Sequence, residues 1–293
     1  MKLLFVAAAL VAGCVKTGAN QPQSQPSEGK VSYLCVGMET SKRFGSCPGC
    51  GLDMRRISSL IRSYYGYEGE SLISERATKS EVVKRFKAGV ERTPDDGLFL
   101  FFYSGHGGQE YLGGEEPDGS DRKDEYLCLY DTYMMDDEIW DIVSKCRGRL
   151  FLFFDACHSA TMYRSVAHDL SKSVGVKRSN RVATALALNE NIFVESNGFT
   201  FRPEKFVQAT PLESTTNSSP RILCWSGCKE SEYSYGGSNG GLLTFAVVNS
   251  WKKGISYDDL WESAVKLVNG SDKTQNPVQT YVGAFPAGLE AFR

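Results

Sequence analysis

The sequence has no excess of either charge and no apolar run long enough to cross a membrane. Its 33 basic and 35 acidic residues nearly cancel over 293 residues, so it lacks the basic surplus that proteins acting on nucleic acid usually carry. Its 9 cysteines are too few for a chain held together mainly by disulfides. With 41% apolar and 23% charged residues, the chain can bury a core, which excludes disorder as its main state.

The amino-terminal residues have the pattern of an export signal. Met1–Gly13 contains one lysine and an apolar run of about ten residues, roughly half of the ~20 that span a bilayer. The run ends in Val-Ala-Gly-Cys14, which is similar to a bacterial lipobox with a lipidated cysteine; an ordinary signal peptide with an incidental cysteine is the alternative. We expect residues 1–14 to be the signal and residues 15–29 to be a flexible tether. The prediction is an exported protein anchored in the cell envelope through Cys14, or otherwise a secreted or periplasmic one.

The rest of the chain alternates between strand and helix patterns, with no internal repeat. Leu98–Tyr103 and Leu150–Phe154 are continuous apolar runs, typical of strands that are buried on both faces. We therefore predict one α/β domain over residues 30–293, with a mainly parallel central sheet and helices on both faces. The other predicted strands are Val31–Gly37, Ser71–Ser74, Tyr126–Tyr130, Arg221–Trp225 and Val278–Val282, and the predicted helices are Asp53–Tyr65, Ser80–Val90, Asp136–Cys146 (capped by Asp136 or Asp137), Leu242–Trp251 and Tyr257–Val268. Residues 108–125 are rich in glycine and acidic residues and predict an exposed loop or hairpin.

The two most apolar strands end in polar clusters that contain a histidine and a cysteine. The first is followed by Ser-Gly-His106-Gly-Gly and the second by Asp-Ala-Cys157-His-Ser. Parallel sheets bind ligands at the carboxyl ends of their strands, so His106 and Cys157 meet at one edge if the strands are neighbours. Such a pair is the minimum for a thiolate nucleophile, and the backbone amides of Gly107 and Cys157 are candidates for an oxyanion site. Each residue alone also fits a structural role, Cys157 as a small buried side chain and His106 as part of a loop.

These motifs, Tyr103-Ser-Gly-His-Gly-Gly-Gln109 and Phe154-Asp-Ala-Cys-His-Ser159, resemble the histidine and cysteine motifs of metacaspases, caspase-like cysteine peptidases of family C14 in clan CD. Caspases place the histidine about 50 residues before the cysteine, and here the two are 51 positions apart. The resemblance implies a caspase–haemoglobinase three-layer fold, with His106 as acid/base and Cys157 as nucleophile. His158 follows the cysteine directly and is the weaker candidate for the base, and His168 is interpreted as a surface residue.

The resemblance also implies cleavage after Arg or Lys through an acidic pocket. Cys50-Gly-Leu-Asp53 matches the element that opens the family's first helix, and we expect Cys50, Asp53, Ser104 and Asp155 to line the pocket. Two carboxylates in a partly dry cleft favour a guanidinium through charge-assisted, forked hydrogen bonds. For Asp53 the alternative is a carboxylate that caps its own helix.

Calcium is the regulator that the resemblance implies. Asp124, Asp136 and Asp137 match family calcium positions, and carboxylates from separate segments suit a hard cation. A solvated acidic loop with a helix cap is the alternative. Where the family has a further Asp, seven residues after the nucleophile, this chain has Arg164. This departure leaves three interpretations of calcium: weaker binding, a different mode of binding, or no requirement for the ion.

Two features leave several interpretations open. Cys47-Pro-Gly-Cys50 fits a disulfide or two unbonded thiols better than a zinc site, which would need Cys224 and Cys228 at an unusual spacing. Residues 165–219 are longer than an ordinary connection and carry Lys177, Arg178 and Arg181, so they are either a site of self-processing or a solvated loop.

Taken together, the sequence predicts a monomeric, exported, metacaspase-like endopeptidase that acts on proteins or peptides with Arg or Lys at the cleavage site. No organic cofactor is expected. One rival hypothesis is a catalytically idle caspase-like binding or scaffold module, against which the intact His106 and Cys157 pair argues. The other rival is an Asp-specific caspase-like peptidase, which Asp155 disfavours because an acidic substrate residue needs basic pocket residues.

Overall fold

The structure is a computed structural model that describes residues 31–111, 123–158, 192–194, 220–229, 234–272 and 274–293. At residues 110–111, 123–124, 157–158 and 192–194 it describes the backbone. The predictions for residues 1–30, which include Cys14, and for the cleavage sites within 165–191 lie outside the described residues. No helix in the described ranges is both long and apolar enough to cross a membrane.

The core of the fold is an eight-stranded sheet. Its strands are β1 (Val31–Gly37), β2 (Gly69–Ile73), β3 (Leu98–Tyr111), β4 (Lys123–Cys128), β5 (Tyr133–Met135), β6 (Arg149–His158), β8 (Arg221–Ser226) and β11 (Val278–Val282). The order across the sheet is β11-β8-β6-β3-β1-β2, and β4 and β5 extend it from β3. The pairs from β8 to β2 are parallel, whereas β11, β4 and β5 pair antiparallel. The predicted mainly parallel sheet is therefore present.

The two central strands are apolar on both faces because each face packs against a layer of helices. In β3, Leu100 and Phe102 face one layer, while Phe99 and Phe101 face the other. The first layer contains α1 (Cys50–Tyr65), α4 (Leu242–Ser250) and α5 (Tyr257–Ser271), and the second contains α2 (Lys79–Arg92) and α3 (Asp136–Val143). This arrangement accounts for the continuous apolar runs, since alternate side chains must be buried on opposite sides.

Helix ends agree with the sequence signals at most positions. Thr78 caps α2 by accepting a hydrogen bond of 3.4 Å from the amide of Glu81, and Gly66, which has a left-handed φ of 68°, caps the carboxyl end of α1. The expected cap of α3 by Asp136 or Asp137 is wrong, because the helix begins at Asp136 and Met135 is the cap. There the Met135 amide donates to Glu138 Oε2 at 2.9 Å, so the acid three residues inside the helix supplies the capping carboxylate.

A second, three-stranded antiparallel sheet consists of β7 (Ile192–Val194), β9 (Tyr235–Gly237) and β10 (Gly240–Gly241). The sequence did not predict these short strands, and β7 lies inside the segment 165–219 that was predicted as one long connection. For residues 108–125 the prediction was an exposed loop or a hairpin, and within the described residues β3 and β4 pair antiparallel up to Tyr111 and Lys123, as the strands of a hairpin do.

Candidate active site

His106 and Cys157 are paired in register on neighbouring parallel strands. β3 and β6 run side by side from Leu98 and Arg149 onward, and the register brings His106 opposite Cys157. The sequence indicated that these strands would have to be neighbours, and they are. Gly107, the proposed oxyanion residue, is next in β3 and pairs with His158 of β6 and Leu127 of β4.

The imidazole of His106 is buried and held by a backbone carbonyl. Only 3% of His106 is exposed, and its Nε2 lies 3.1 Å from the carbonyl oxygen of Ser46. Because a carbonyl oxygen can only accept, Nε2 must carry the proton in this contact, and the neutral ring then has its lone pair on Nδ1. The Ser46 carbonyl therefore sets the tautomer of His106.

A tyrosine hydroxyl bonds the carbonyl of His106 and a carbonyl of the neighbouring strand β4. Tyr103 is fully buried, and its Oη lies 2.6 Å from the carbonyl oxygens of both His106 and Cys128. One hydroxyl proton is shared between two carbonyls of β3 and β4, so Tyr103 joins these strands next to the site.

Asp53 comes from the first turn of α1 and is completely buried below the strand ends. Its Oδ2 accepts hydrogen bonds from Ser104 Oγ at 2.9 Å and from the Gly241 amide at 2.8 Å. Its Oδ1 is buried without a hydrogen-bond partner, and the nearest cation is Arg56, whose Nη1 is 3.8 Å away. The carboxylate makes no cap bond to its own helix, so the capping alternative for Asp53 is not what the structure has.

Asp155 is the second buried carboxylate, with 1% of its surface exposed. Its Oδ2 accepts from the Thr244 amide at 2.7 Å, and its Oδ1 accepts from Ser234 Oγ at 3.4 Å. Ser234 is in turn 3.3 Å from Gln275 Nε2, and Gln275 also donates to the Gly227 carbonyl at 2.8 Å. Gln275 is fully buried and connects its own segment with those of Gly227 and Ser234, next to Asp155.

Burial raises the pKa of both carboxyl groups. For Asp53 the main cause is loss of hydration, to which the negative charge of Asp155 adds, while the bonds from Gly241 and Ser104 and the charge of Arg56 act in the opposite direction. For Asp155 the cause is also loss of hydration, opposed by hydrogen bonding from Thr244 and Ser234. The charge of Asp155 therefore acts directly on the titration of Asp53.

Two glycines lie directly against the carboxylates. A Cβ on Gly240, which has a left-handed φ of 92°, would overlap with Asp53, and a Cβ on Gly241 would overlap with the carboxylate of Asp155. Sequence reasoning missed these glycines together with Ser234, Thr244 and Gln275. The only local signal was the Gly-Gly-Ser-Asn-Gly-Gly run before α4, which indicates a turn but does not tell which residues it covers.

The other predicted site residues are placed as follows. Ser104 joins the carboxylates, but the thiol of Cys50 contacts Cys47, with 2.8 Å between the Sγ atoms. The backbone of Asp124 is in β4, and the pairing of Tyr126 with Met135 brings this part of β4 close to the start of α3. Asp136 is buried and its Oδ1 accepts from the Asp137 amide at 3.0 Å, while Asp137 is exposed.

Within the part of the chain that the structure describes, no three His, Cys, Asp or Glu side chains gather as metal ligands. This result covers the four cysteines considered for zinc and, of the calcium residues, Asp136 and Asp137; the side chain of Asp124 lies outside the described part of the chain. Glu125, next to Asp124, is a further buried acid with 1% of its surface exposed. Calcium binds carboxylate oxygens, so the acids where β4 comes close to the start of α3 fit the ion in their chemistry. The described side chains do not complete its shell of six to eight oxygens.

Known proteins with similar sequences are metacaspases. The chain is 28% identical over 279 residues to Metacaspase-1 of Pyricularia oryzae, covering 83% of this chain and 69% of that protein. It is 28% identical over 276 residues to Metacaspase-1A of Aspergillus fumigatus, covering 82% and 64%. It is 26% identical over 273 residues to Metacaspase-1 of Schizosaccharomyces pombe, covering 82% and 63%. The chain thus spans about two thirds of the length of the curated relatives that it matches.

A solved structure shows the fold, and a family model shows the family. The crystal structure of protein GSU0716 from Geobacter sulfurreducens has a TM-score of 0.63 at 22% identity, covering 89% of this chain and 97% of that one, which confirms the three-layer fold. The model of the caspase domain, Peptidase_C14, matches residues 34–283, which include both strand ends of the site. The chain therefore belongs to the C14 family of caspase-domain peptidases, which are cysteine-type endopeptidases.

Proposed function

We propose that this protein is a metacaspase-type endopeptidase that cleaves after Arg or Lys, with His106 and Cys157 as its catalytic dyad. The observation that carries the proposal is the register of β3 and β6, which pairs these two residues beside two buried carboxylates. The family supplies the reaction, hydrolysis of a peptide bond by a cysteine. The dyad, the preference for basic residues and the regulation are the parts proposed here.

The proposed reaction begins with proton transfer from the Cys157 thiol to His106. Since Nε2 of His106 is bonded to the Ser46 carbonyl, Nδ1 is the atom that accepts this proton. The thiolate attacks the substrate carbonyl carbon, and the amides of Gly107 and Cys157 stabilise the negative oxygen. His106 then returns the proton to the leaving amine, and water hydrolyses the thioester by the same steps.

The two carboxylates support a basic residue as the one before the cleaved bond. Three of their four oxygens accept hydrogen bonds from the protein, which leaves Oδ1 of Asp53 as an acceptor for a substrate cation. An acidic substrate residue would instead meet two carboxylates without compensation, so this site disfavours the Asp-specific alternative.

Access to this pocket depends on the turn that covers it. Gly240 and Gly241 lie against the carboxylates, and the Asn239 carbonyl accepts a hydrogen bond from Arg56, which is also the cation nearest Asp53. A substrate guanidinium can reach Asp53 only if this turn moves aside, and its charge would then take over the role of Arg56. Binding of the basic residue and opening of the turn are thus coupled in this proposal.

Peptide reporters test the proposal. The full chain is assayed with otherwise identical substrates ending in Arg, Lys or Asp, and we expect turnover of the first two and loss of that turnover in Cys157→Ala. Asp155→Asn should lower kcat/KM for Arg and Lys by at least ~10-fold, which corresponds to about 1.4 kcal/mol, because it removes one of the two negative charges that attract the substrate cation into a dry pocket. Asp141→Asn, which removes an exposed acid on α3, is the matched control. Turnover of the Asp reporter alone, or activity retained in Cys157→Ala, would refute the proposal.

Calcium regulation is proposed for the acidic corner of Asp124, Asp136 and Asp137. Bound calcium would offset the negative charge of these three acids and of Glu125. Titration calorimetry of the Cys157→Ala protein with calcium chloride should show binding that is weakened at least ~10-fold in Asp136→Asn and unchanged in Asp141→Asn. Equal binding in both variants, or none in the parent protein, would rule out this site.

Export and self-processing are further proposals from the sequence. Cys14→Ser should shift the protein from the membrane fraction to the soluble fraction and abolish the lipid mass at the mature amino terminus. Incubation of the wild type with calcium should produce cleavage after Lys177, Arg178 or Arg181 that is absent from Cys157→Ala. Unchanged fractionation without lipid would contradict the anchor, and an active enzyme that stays full length would contradict self-processing.

A further inference from the structure

The loop before α1 brings two thiols into contact. Cys47 and Cys50 are separated by Pro48 and Gly49, and their Sγ atoms are 2.8 Å apart without a disulfide between them. Both side chains are buried, with 9% of Cys47 and 4% of Cys50 exposed, so Cys47 is the one that a reagent reaches first. Neither thiol has a role in the proposed peptidase reaction.

The backbone of this loop forms a tight turn that keeps the two cysteines close together. The Cys50 amide donates to the Cys47 carbonyl at 3.3 Å, which closes the turn, and Gly49 has a left-handed φ of 94°. A Cβ on Gly49 would collide with the Gly237 carbonyl and with Gly240, so this position requires glycine. A disulfide has an S–S distance of about 2.05 Å, so each sulfur would have to move by less than ~0.5 Å.

The loop connects two parts of the candidate active site. The residue before it, Ser46, supplies the carbonyl that binds Nε2 of His106 at 3.1 Å. Its last residue, Cys50, begins α1, which carries Asp53 in its first turn. A disulfide between Cys47 and Cys50 would therefore restrict the segment between Ser46, which binds His106, and α1, which carries Asp53.

We propose that Cys47 and Cys50 are a redox-active dithiol whose disulfide fixes the Ser46 carbonyl against His106. The oxidant is a small-molecule disulfide such as oxidised glutathione. The Cys47 thiol loses its proton and attacks one sulfur of the oxidant, releasing one reduced thiol and forming a mixed disulfide. The Cys50 thiol, losing its proton, then attacks the Cys47 sulfur, which closes the protein disulfide and releases the second reduced thiol. Two electrons and two protons pass from the protein to the oxidant.

Thiol mapping tests this site without any dependence on turnover. The full chain carrying Cys157→Ala is equilibrated with glutathione buffers of graded ratio, quenched with acid, alkylated after unfolding and digested with trypsin. Residues 44–55 form a tryptic peptide that contains Cys47 and Cys50 and no other cysteine, and residues 31–42 form one that contains Cys35 alone. Cys35 is fully buried, and burial raises the pKa of its thiol, so it serves as the internal control.

As the buffers become more oxidising, we expect peptide 44–55 to change from the doubly alkylated form to the disulfide form, which is 2 Da lighter than the unalkylated dithiol. The midpoint should depend on the squared concentration of reduced glutathione divided by the concentration of oxidised glutathione. The Cys35 peptide should remain alkylated throughout. A peptide 44–55 that stays doubly alkylated at every ratio, or that carries only mixed disulfides, would overturn the proposal. This outcome needs no substitution at either cysteine, so a misfolded variant cannot cause it.

The link to the histidine is tested by NMR. The chain has 3 histidines, so the imidazole signals of His106 can be assigned by comparison with His106→Gln. In the Cys157→Ala protein these signals should shift when the disulfide forms, whereas adding Cys47→Ser should abolish the shift. A fully formed disulfide that leaves the His106 signals unchanged would refute the coupling. Because neither readout measures hydrolysis, failure here is distinguishable from failure of the proposed peptidase function.

Discussion

The backbone amide of Gly241 donates a 2.8 Å hydrogen bond to Asp53, although the two residues are 188 positions apart. The contact brings the start of α4 onto the first turn of α1, over an acid that is completely buried. In the same turn Gly240 lies against Asp53 and Gly241 against Asp155. The turn that covers Asp53 and Asp155 can therefore pack this closely because Gly240 and Gly241 have no side chain.

Gly241→Ala should damage both stability and substrate use. The added Cβ would overlap with the Asp155 carboxylate, which is buried and held by hydrogen bonds from Thr244 and Ser234, and such overpacking costs about 1–3 kcal/mol. Denaturant unfolding and kcat/KM for an Arg reporter measure the two effects, and both should fall. Gly270→Ala in α5 is the control, since a Cβ there meets no atom within 4 Å and should be neutral or stabilise the helix by up to about 1 kcal/mol. Equal behaviour of the two variants would contradict the packing argument.

Stability should depend on pH through Asp53. Burial and the charge of Asp155 raise the pKa of Asp53 in the folded protein. The folded state then binds more protons than the unfolded chain, so the free energy of unfolding decreases as the pH rises from about 4 through the raised pKa. Asp53→Asn removes this titration, so the stability of the variant relative to the wild type should increase with pH over this range. Urea unfolding from pH 4 to pH 8 measures it, with Asp141→Asn as the control for loss of an exposed acid. A difference that stays constant or shrinks would be inconsistent with the raised pKa.

Tyr103→Phe should weaken the support of the catalytic histidine. The change removes the hydroxyl that donates to the buried carbonyls of His106 and Cys128 and leaves both without this donor. We expect a loss of about 1–3 kcal/mol in the free energy of unfolding and a lower kcat, since the strand that carries His106 is less firmly held. Tyr64→Phe removes a hydroxyl from a side chain that is 58% exposed and should change neither value. A Tyr103→Phe enzyme with wild-type kcat would show that the hydroxyl has no part in positioning His106.

Long elements with a regular apolar pattern were predictable from the sequence. β3 and β6 were identified because sheet burial on both faces requires continuous apolar runs. That the two strands are neighbours was a condition for the pairing of His106 with Cys157, and the register of the sheet meets it. Helix bounds agreed within a few residues at α2 and α5, where Thr78 and Ser256 provide side-chain caps. For these elements, the apolar pattern and the cap residues within the element itself were sufficient to predict it.

The cover of the acidic pair was not predictable in the same way. β5, β9 and β10 have two or three residues each, too few for a period to be recognised. The bonds from Gly241 to Asp53 and from Thr244 to Asp155 join segments that are far apart in the chain. A run of glycine, serine and asparagine predicts a turn, but only the packed structure shows what the turn lies on.

The most direct test of the account is a competition between two covalent probes. The wild-type protein is treated with equal concentrations of two peptidyl acyloxymethyl ketones, one ending in Arg and one in Asp, that differ in mass. Peptide mass spectrometry then identifies the probe that has reacted and the residue that it modifies. We predict that the Arg probe modifies Cys157 and that Asp155→Asn slows this reaction. An adduct of the Asp probe at Cys157, or an Arg adduct at another cysteine with Cys157 unmodified, would contradict the central claim.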